Sequence, residues 1–224
     1  LYCTGVHGPL PSIPWYAAIG NHDAFAIGVF PVITRGDGSR VAPLPLPARP
    51  GVFLPTVLDP TGAWTYGLVT PACPGPPPLL SLPHRITPVP DRRYFTKGEF
   101  PEAMFSTMSG PPGHGLPSPA GPARYSVSPV PGLRLITLDT ADVSDPAPGW
   151  PYDRGCISPE GRDFLRAELD AAGHRGEWVI VATHHPSGSL EVLYGSALGP
   201  GDFRELLNQY PNVLVHLAGH THRN

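Results

Sequence analysis

Apolar residues along this chain fall into short runs, and several of those runs end in a polar cluster. The run at 15–19 ends at Gly20, and a second at 133–138 ends at Asp139. Ser158 then reads as an N-cap, with Pro159 in the first helical position and Glu160 in the first turn. Phe164, Leu165, Leu169 and Ala172 share one face of the helix that follows, and Gly173 is its expected stop. The unbroken apolar run at 178–182 has the character of a strand buried on both faces. A second helix is expected over 202–209, where Phe203, Leu206 and Leu207 are apolar, and a further strand over 213–218. Beyond residue 132 the order is therefore strand, helix, strand, helix, strand. That alternation predicts an α/β fold with a parallel or mixed sheet and helices packed on its faces.

Between the first run and the second the pattern breaks down. Of 33 prolines in 224 residues, 23 lie between Pro31 and Pro131. Over 41–90 proline recurs every few residues, which excludes helices and central strands. Residues 31–131 are expected to form a long irregular insertion with one or two short hairpins, one of them turning at Asp37-Gly38. The core is then carried by segments 1–30 and 132–224. As an open wall beside the rest of the fold, the insertion reads better as a lid than as a polyproline ligand for a partner domain.

Composition narrows the classes. Proline and glycine (33 and 26 residues) make up about a quarter of the chain, a level associated with low complexity. Yet 41% of residues are hydrophobic and the formal net charge is only −3, which argues against disorder throughout. No block of Lys and Arg offers a footprint for nucleic acid. No run of about 18 apolar residues provides a membrane span. Cys3, Cys73 and Cys156 form no Cys-x-x-Cys pair and do not fix a compartment.

The chemistry gathers at strand ends. One run closes in Gly20-Asn21-His22-Asp23, another in Thr183-His184-His185-Pro186, and the last in Gly219-His220-Thr221-His222. Sites in open α/β sheets form outside the carboxyl ends of the strands, so these clusters are expected to meet in one crevice. Five imidazoles with an amide and a carboxylate suit divalent Mn, Fe, Zn, Co or Ni, and no thiolate is near.

In that order, Gly-Asn-His-Asp, His-His-Pro and Gly-His-x-His resemble the calcineurin-like metallophosphoesterase superfamily. The segment Pro90-Asp91-Arg92-Arg93 and the final Gly219–Asn224 stretch are also similar to an actinobacterial branch of it. The resemblance covers both ends of the chain and leaves out the insertion. It implies a metallophosphoesterase-type β-sandwich flanked by helices, with two divalent metal ions at the sheet edge. It implies that Asn21, His184 and His220 bind one ion and His222 the other. His22 would act on the leaving group as general acid and Asp23 would orient it, while His185 is given no ion. The implied activity is hydrolysis of a phosphomonoester or phosphodiester by a metal-bound hydroxide. A non-catalytic module with the same fold, acting through protein interaction, is the rival reading. Against it stands the whole set of ligand-type residues, which a scaffold has no use for.

This chain departs from that family in one respect. The family places Asp-x-His and Gly-Asp motifs before Gly-Asn-His-Asp, and neither precedes Gly20 here. The expectation is that those parts lie upstream in a longer protein and that this chain alone holds metal weakly. Other features receive plainer readings. Arg35-Gly36-Asp37 is a turn, Arg92 and Arg93 are solvated loop charges, and Asp139 is a cap or turn residue. His216 is expected in the core, and His114 away from the site.

Overall fold

A computed structural model describes residues 13–24, 33–34, 40–41, 63–65, 84–86, 96–142, 154–192 and 195–222. In chain order its elements are α1 (Asn21–Ala24), β1 (Ile33–Thr34), β2 (Arg40–Val41), β3 (Ala63–Thr65), β4 (His84–Ile86) and α2 (Glu99–Phe105). Then come β5 (Tyr125–Val130), β6 (Leu133–Thr137), α3 (Pro159–Arg175), β7 (Trp178–Thr183), α4 (Pro200–Asn208) and β8 (Val213–Ala218).

The centre is a four-stranded mixed sheet in the order β5-β6-β7-β8. β5 and β6 form an antiparallel hairpin, and β6, β7 and β8 run parallel. Parallel neighbours need long crossovers, which α3 and α4 supply. The strand–helix alternation expected beyond residue 132 is present, and the chain is α/β. The sandwich implied by the resemblance is a different matter. Among the described residues there is one four-stranded sheet with two separate two-stranded pairs, β1-β2 and β3-β4. The expected turn at Asp37-Gly38 lies outside the described residues, although β1 and β2 on either side of it pair antiparallel. Arg35, Arg92, Arg93, Cys3 and Cys73 are also outside them. Within 31–131, α2 and β5 are regular, and β5 forms one edge of the main sheet.

The helix starts obey the local code. Ser158 Oγ accepts from the Gly161 N–H at 3.1 Å, and Pro159 follows in the first turn. α3 does not stop at Gly173, however. It runs three residues further to Gly176, which takes φ 66° and donates its N–H to the carbonyls of Ala172 and Gly173. Only the second glycine is asked for a left-handed backbone, so only it ends the helix. α4 begins at Pro200, two residues before its expected start, because Asp202 Oδ2 accepts from the Gly199 N–H at 3.1 Å.

One face of the sheet is packed by α3 and α4. Ile136, Leu138, Val179 and Val181 meet Leu165, Leu169, Phe203 and Leu206 there, all essentially without solvent. Phe203→Ala is expected to destabilise the fold by about 3–5 kcal/mol, measurable as a lowered denaturation midpoint. A smaller cluster joins Ala17, Ile19, Phe100, Leu116 and Tyr125. β7 is not buried equally on both sides as its apolar run suggested. Val179, Val181 and Thr183 are buried, Ile180 and Ala182 are half-buried, and Trp178 is exposed. Only one of its faces meets the helices.

The run at 15–19 is a correction. It is not a strand, because its backbone bonds leave the sheet altogether. Ala17 N–H donates to the His114 carbonyl at 3.0 Å, and the Ala17 carbonyl accepts from the Tyr125 hydroxyl at 2.7 Å. Extended chain satisfied by a loop carbonyl and a side chain has no ladder to join. Two further details set up the site. β8 carries one extra residue, Leu214, between the pairs Val179–Val213 and Ile180–Val215. Arg134 holds Glu177 with two bonds of 3.1 Å where β7 begins, and Arg175 adds a third at 2.9 Å. Together they press the Glu177 carboxyl down to about 2.

Candidate metal centre

Three chain segments deliver the polar clusters to one place. β7 ends at Thr183 and releases His184 and His185; β8 ends at Ala218 and releases Gly219 and His220. The Gly219 N–H donates to the His184 carbonyl at 2.9 Å, so the two strand ends stay joined past the sheet. From the other side, the extended run reaches Gly20 and turns into α1, which opens with Asn21. Asn21 is buried, and its Oδ1 lies 2.9 Å from His184 Nε2. The approach is close because residue 20 has no side chain. A Cβ at Gly20 would stand 2.7 Å from His184 Nδ1. Gly20→Ala is therefore expected to push the ring aside and weaken metal uptake about 10-fold, read as a shift in the Co²⁺ titration curve with an unchanged circular dichroism spectrum.

The imidazoles form a knot. Ring centroids are 5.2 Å apart for His184 and His220, 4.4 Å for His185 and His220, and 4.9 Å for His184 and His185. One ring nitrogen from each of the three lies within 4.8 Å of the others. Nitrogens on a tetrahedral ion with bonds of about 2.0–2.1 Å stand about 3.3 Å apart. Ring rotations that bring these nitrogens up to about 1.5 Å closer would close the set on an ion, and the donor set fits one. His220 is held at φ 70° and His222 at φ 52°. Left-handed backbone at non-glycine residues costs about 1–2 kcal/mol each, a strain that clusters at binding sites.

Electrostatics keeps the knot neutral. Burial pulls the His184 imidazole below its ordinary range, the charge of His220 adds to this, and Asp23 opposes it. Burial likewise takes His185 down to about 3, helped by His220 and His184. Neutral imidazole is the form that ligates.

The expected residues divide into two groups. Asn21, His184 and His220 come together. His22, Asp23 and His222 are exposed at the rim, close enough for their charges to act on His184. Asp23 Oδ2 accepts from the Gly20 N–H at 2.9 Å and so closes the turn into α1. Asp139 is a turn residue as expected: Oδ1 accepts from the Ala141 N–H at 2.9 Å, and Oδ2 meets Lys97 Nζ at 2.6 Å. Burial would lower the Lys97 ammonium, but the charges of Asp139 and Asp142 outweigh it and hold it above its usual value. His114 is fully buried and stacks on Trp15 at 3.4 Å, outside the cluster.

Sequence reasoning placed His185 in the crevice without giving it an ion, read His216 as a core residue, and passed over Thr140. His185 lies inside the knot. Thr140, at the carboxyl end of β6, has its Oγ1 2.9 Å from His185 Nδ1 and accepts from the His185 N–H at 3.2 Å. His216 reaches Thr183: the Thr183 hydroxyl donates to the His185 carbonyl at 2.7 Å and so must accept from His216 Nε2, also at 2.7 Å. The rule that sites collect at carboxyl ends of parallel strands applies to β6 as well, and would have pointed to Thr140.

Comparison with known proteins adds one finding about chemistry. The chain is similar to Sphingomyelin phosphodiesterase 2 of Caenorhabditis elegans. The two are 30% identical over 135 residues, which is 58% of this chain and 21% of that protein. The chain thus spans about a fifth of the length of the curated relative it matches. No family model matches the chain, and no solved structure does. That protein is named as a phosphodiesterase. No helix among the described residues is long and apolar enough to cross a membrane.

Proposed function

We propose that this chain is the ligand-bearing part of a metal-dependent phosphoesterase with a binuclear metal site. The observation that carries the reading is the convergence of Asn21, His184 and His220 on one point from three separate segments. The phosphodiesterase name of the relative agrees with it. Asn21, His184 and His220 would hold one divalent ion, and His222 would contribute to a second. When bound, such ions supply an activated water at neutral pH and positive charge beside the phosphoryl oxygens.

The chain's own residues supply the rest. His22 stands exposed at the rim beside His184, where a leaving group would depart. As general acid it gives its proton to the departing alkoxide or phenoxide oxygen. Asp23 fixes the turn from Gly20 into α1 and thereby the side from which His22 approaches. Gly20 lets Asn21 and His184 come within bonding distance of one another. The substrate is a phosphomonoester or phosphodiester.

The test is release of p-nitrophenol from p-nitrophenyl phosphate and from bis(p-nitrophenyl) phosphate, with Mn²⁺, Co²⁺ or Zn²⁺ added and with chelator. Metal-dependent release that chelator abolishes is expected. Metal uptake without hydrolysis of either ester would favour a binding module on the same fold, and no uptake at all would remove the metal centre.

A further inference from the structure

His185 is the residue in the knot with the least ordinary surroundings. Its side chain is 1% exposed. Its Nε2 is buried with no hydrogen-bond partner among the described residues. A buried polar atom left unsatisfied costs about 1–3 kcal/mol, and each one in a native fold calls for a reason. The rest of the residue is firmly tied. Its N–H, its carbonyl and its Nδ1 are bonded to Thr140 or Thr183. Gly155 packs flat against it, since a Cβ there would lie 2.7 Å from the His185 Cβ. The ring can neither turn away nor reach solvent. Its ring stands among those of His184 and His220, with centroids 4.9 and 4.4 Å away, and one ring nitrogen from each of the three lies within 4.8 Å of the others.

The tautomer follows from the neighbours. Thr140 Oγ1 lies 2.9 Å from Nδ1 and accepts from the His185 N–H at 3.2 Å. When the hydroxyl oxygen accepts the Nδ1 proton as well, Nε2 keeps the lone pair. That is the arrangement of a metal-ligating histidine, whose distal N–H is held by a carbonyl or hydroxyl.

We propose that His185 ligates through Nε2, as a third imidazole, the ion held by His184 and His220. The inference rests on reading the knot as a metal centre. Thr140 is its positioning residue. Three imidazoles with the Asn21 amide oxygen make a nitrogen-rich set that prefers Zn²⁺, Co²⁺ or Ni²⁺ to Mg²⁺.

The experiment is a Co²⁺ titration of the metal-free chain, followed by its visible absorption and by the hyperfine-shifted, solvent-exchangeable imidazole N–H proton signals. His222→Ala, which removes the histidine given to the second ion, is expected to show three such signals; two would overturn the proposal. His185→Ala should raise the Co²⁺ dissociation constant about 100-fold and Thr140→Val about 10-fold, with the ligand-field bands moving in the first. A wild-type constant in His185→Ala would also overturn it. His184→Ala and His220→Ala separate the two levels of the argument. If they lose Co²⁺ while His185→Ala keeps it, the metal centre stands and the His185 assignment falls. If the wild-type chain takes up no Co²⁺, both fall. Should His185→Ala fail to fold by circular dichroism, the signal count in His222→Ala decides alone.

Discussion

Replacing His22 by alanine is expected to slow hydrolysis of an alkyl phosphate about 10²–10⁴-fold, the usual range for a lost general acid, with metal content unchanged. The reason is where His22 sits. It is exposed on α1 and takes no part in either buried cluster. Its neighbour Asn21 is the buried one, with Oδ1 against His184. Removing an exposed imidazole leaves that contact and the fold in place. The deficit should depend on the leaving group. An alkoxide needs its proton in the transition state, whereas p-nitrophenolate departs with little help. Turnover of an alkyl ester should therefore fall further than that of p-nitrophenyl phosphate. Parallel loss of metal, by elemental analysis, would show that His22 holds the site together and does not serve the leaving group.

The second large effect is loss of stability in mild acid. His184, His185 and His216 all have imidazoles lowered by burial, His185 to about 3. In the unfolded chain they take up protons near pH 6.5. Between there and the folded value the unfolded state binds more protons than the native one. Stability is then complete above about pH 6.5 and falls as the pH drops toward the folded values. Each histidine that stays neutral in the fold withdraws about 1.4 kcal/mol per pH unit in that window. Denaturation midpoints should fall steeply from pH 7 to pH 5, more so with metal bound, since ligation also requires neutral rings. A flat profile would mean that the rings reach solvent. Asp142, lowered by Lys97 and Ser158 against the effect of burial, weakens the fold only further down, as the pH approaches the ordinary carboxylate range.

How much of this was legible beforehand depended on how local each cause was. Ser158 followed by Pro159 announces a helix start because the cap bond spans three residues. The strands at β7 and β8 show themselves through apolar runs that local sequence contains. The two glycines at the end of α3 look alike in sequence, and only the backbone angle at Gly176 separates them. The run at 15–19 looked like a strand because an apolar run reports burial and says nothing about hydrogen-bond partners. Those partners, His114 and Tyr125, lie about a hundred residues away. His184, His185 and His220 could be brought to one crevice on paper, since strand-end logic works for parallel sheets. Asn21 was placed with them although the run before it is no strand, and no spacing encodes that the His185 ring meets those of His184 and His220. Thr140 and His216 are ordinary residue types whose role comes entirely from what they touch.

The extra residue in β8 sets a distance. Strand residues advance about 3.3 Å each and alternate faces, so whatever follows Leu214 is counted from it. With Leu214 absorbed in the irregular step, Val181 stands beside His216 and Thr183 beside Ala218. His216 then meets Phe203 and Thr183 on the helix-covered face, and His220 arrives level with His184. Deleting Leu214 would make the strand one step short: either His216 would turn to the opposite face or His220 would stop about 3.3 Å before the knot. The edge strand therefore works as a ruler, and Leu214, an exposed residue, is the mark from which the position of His220 is measured.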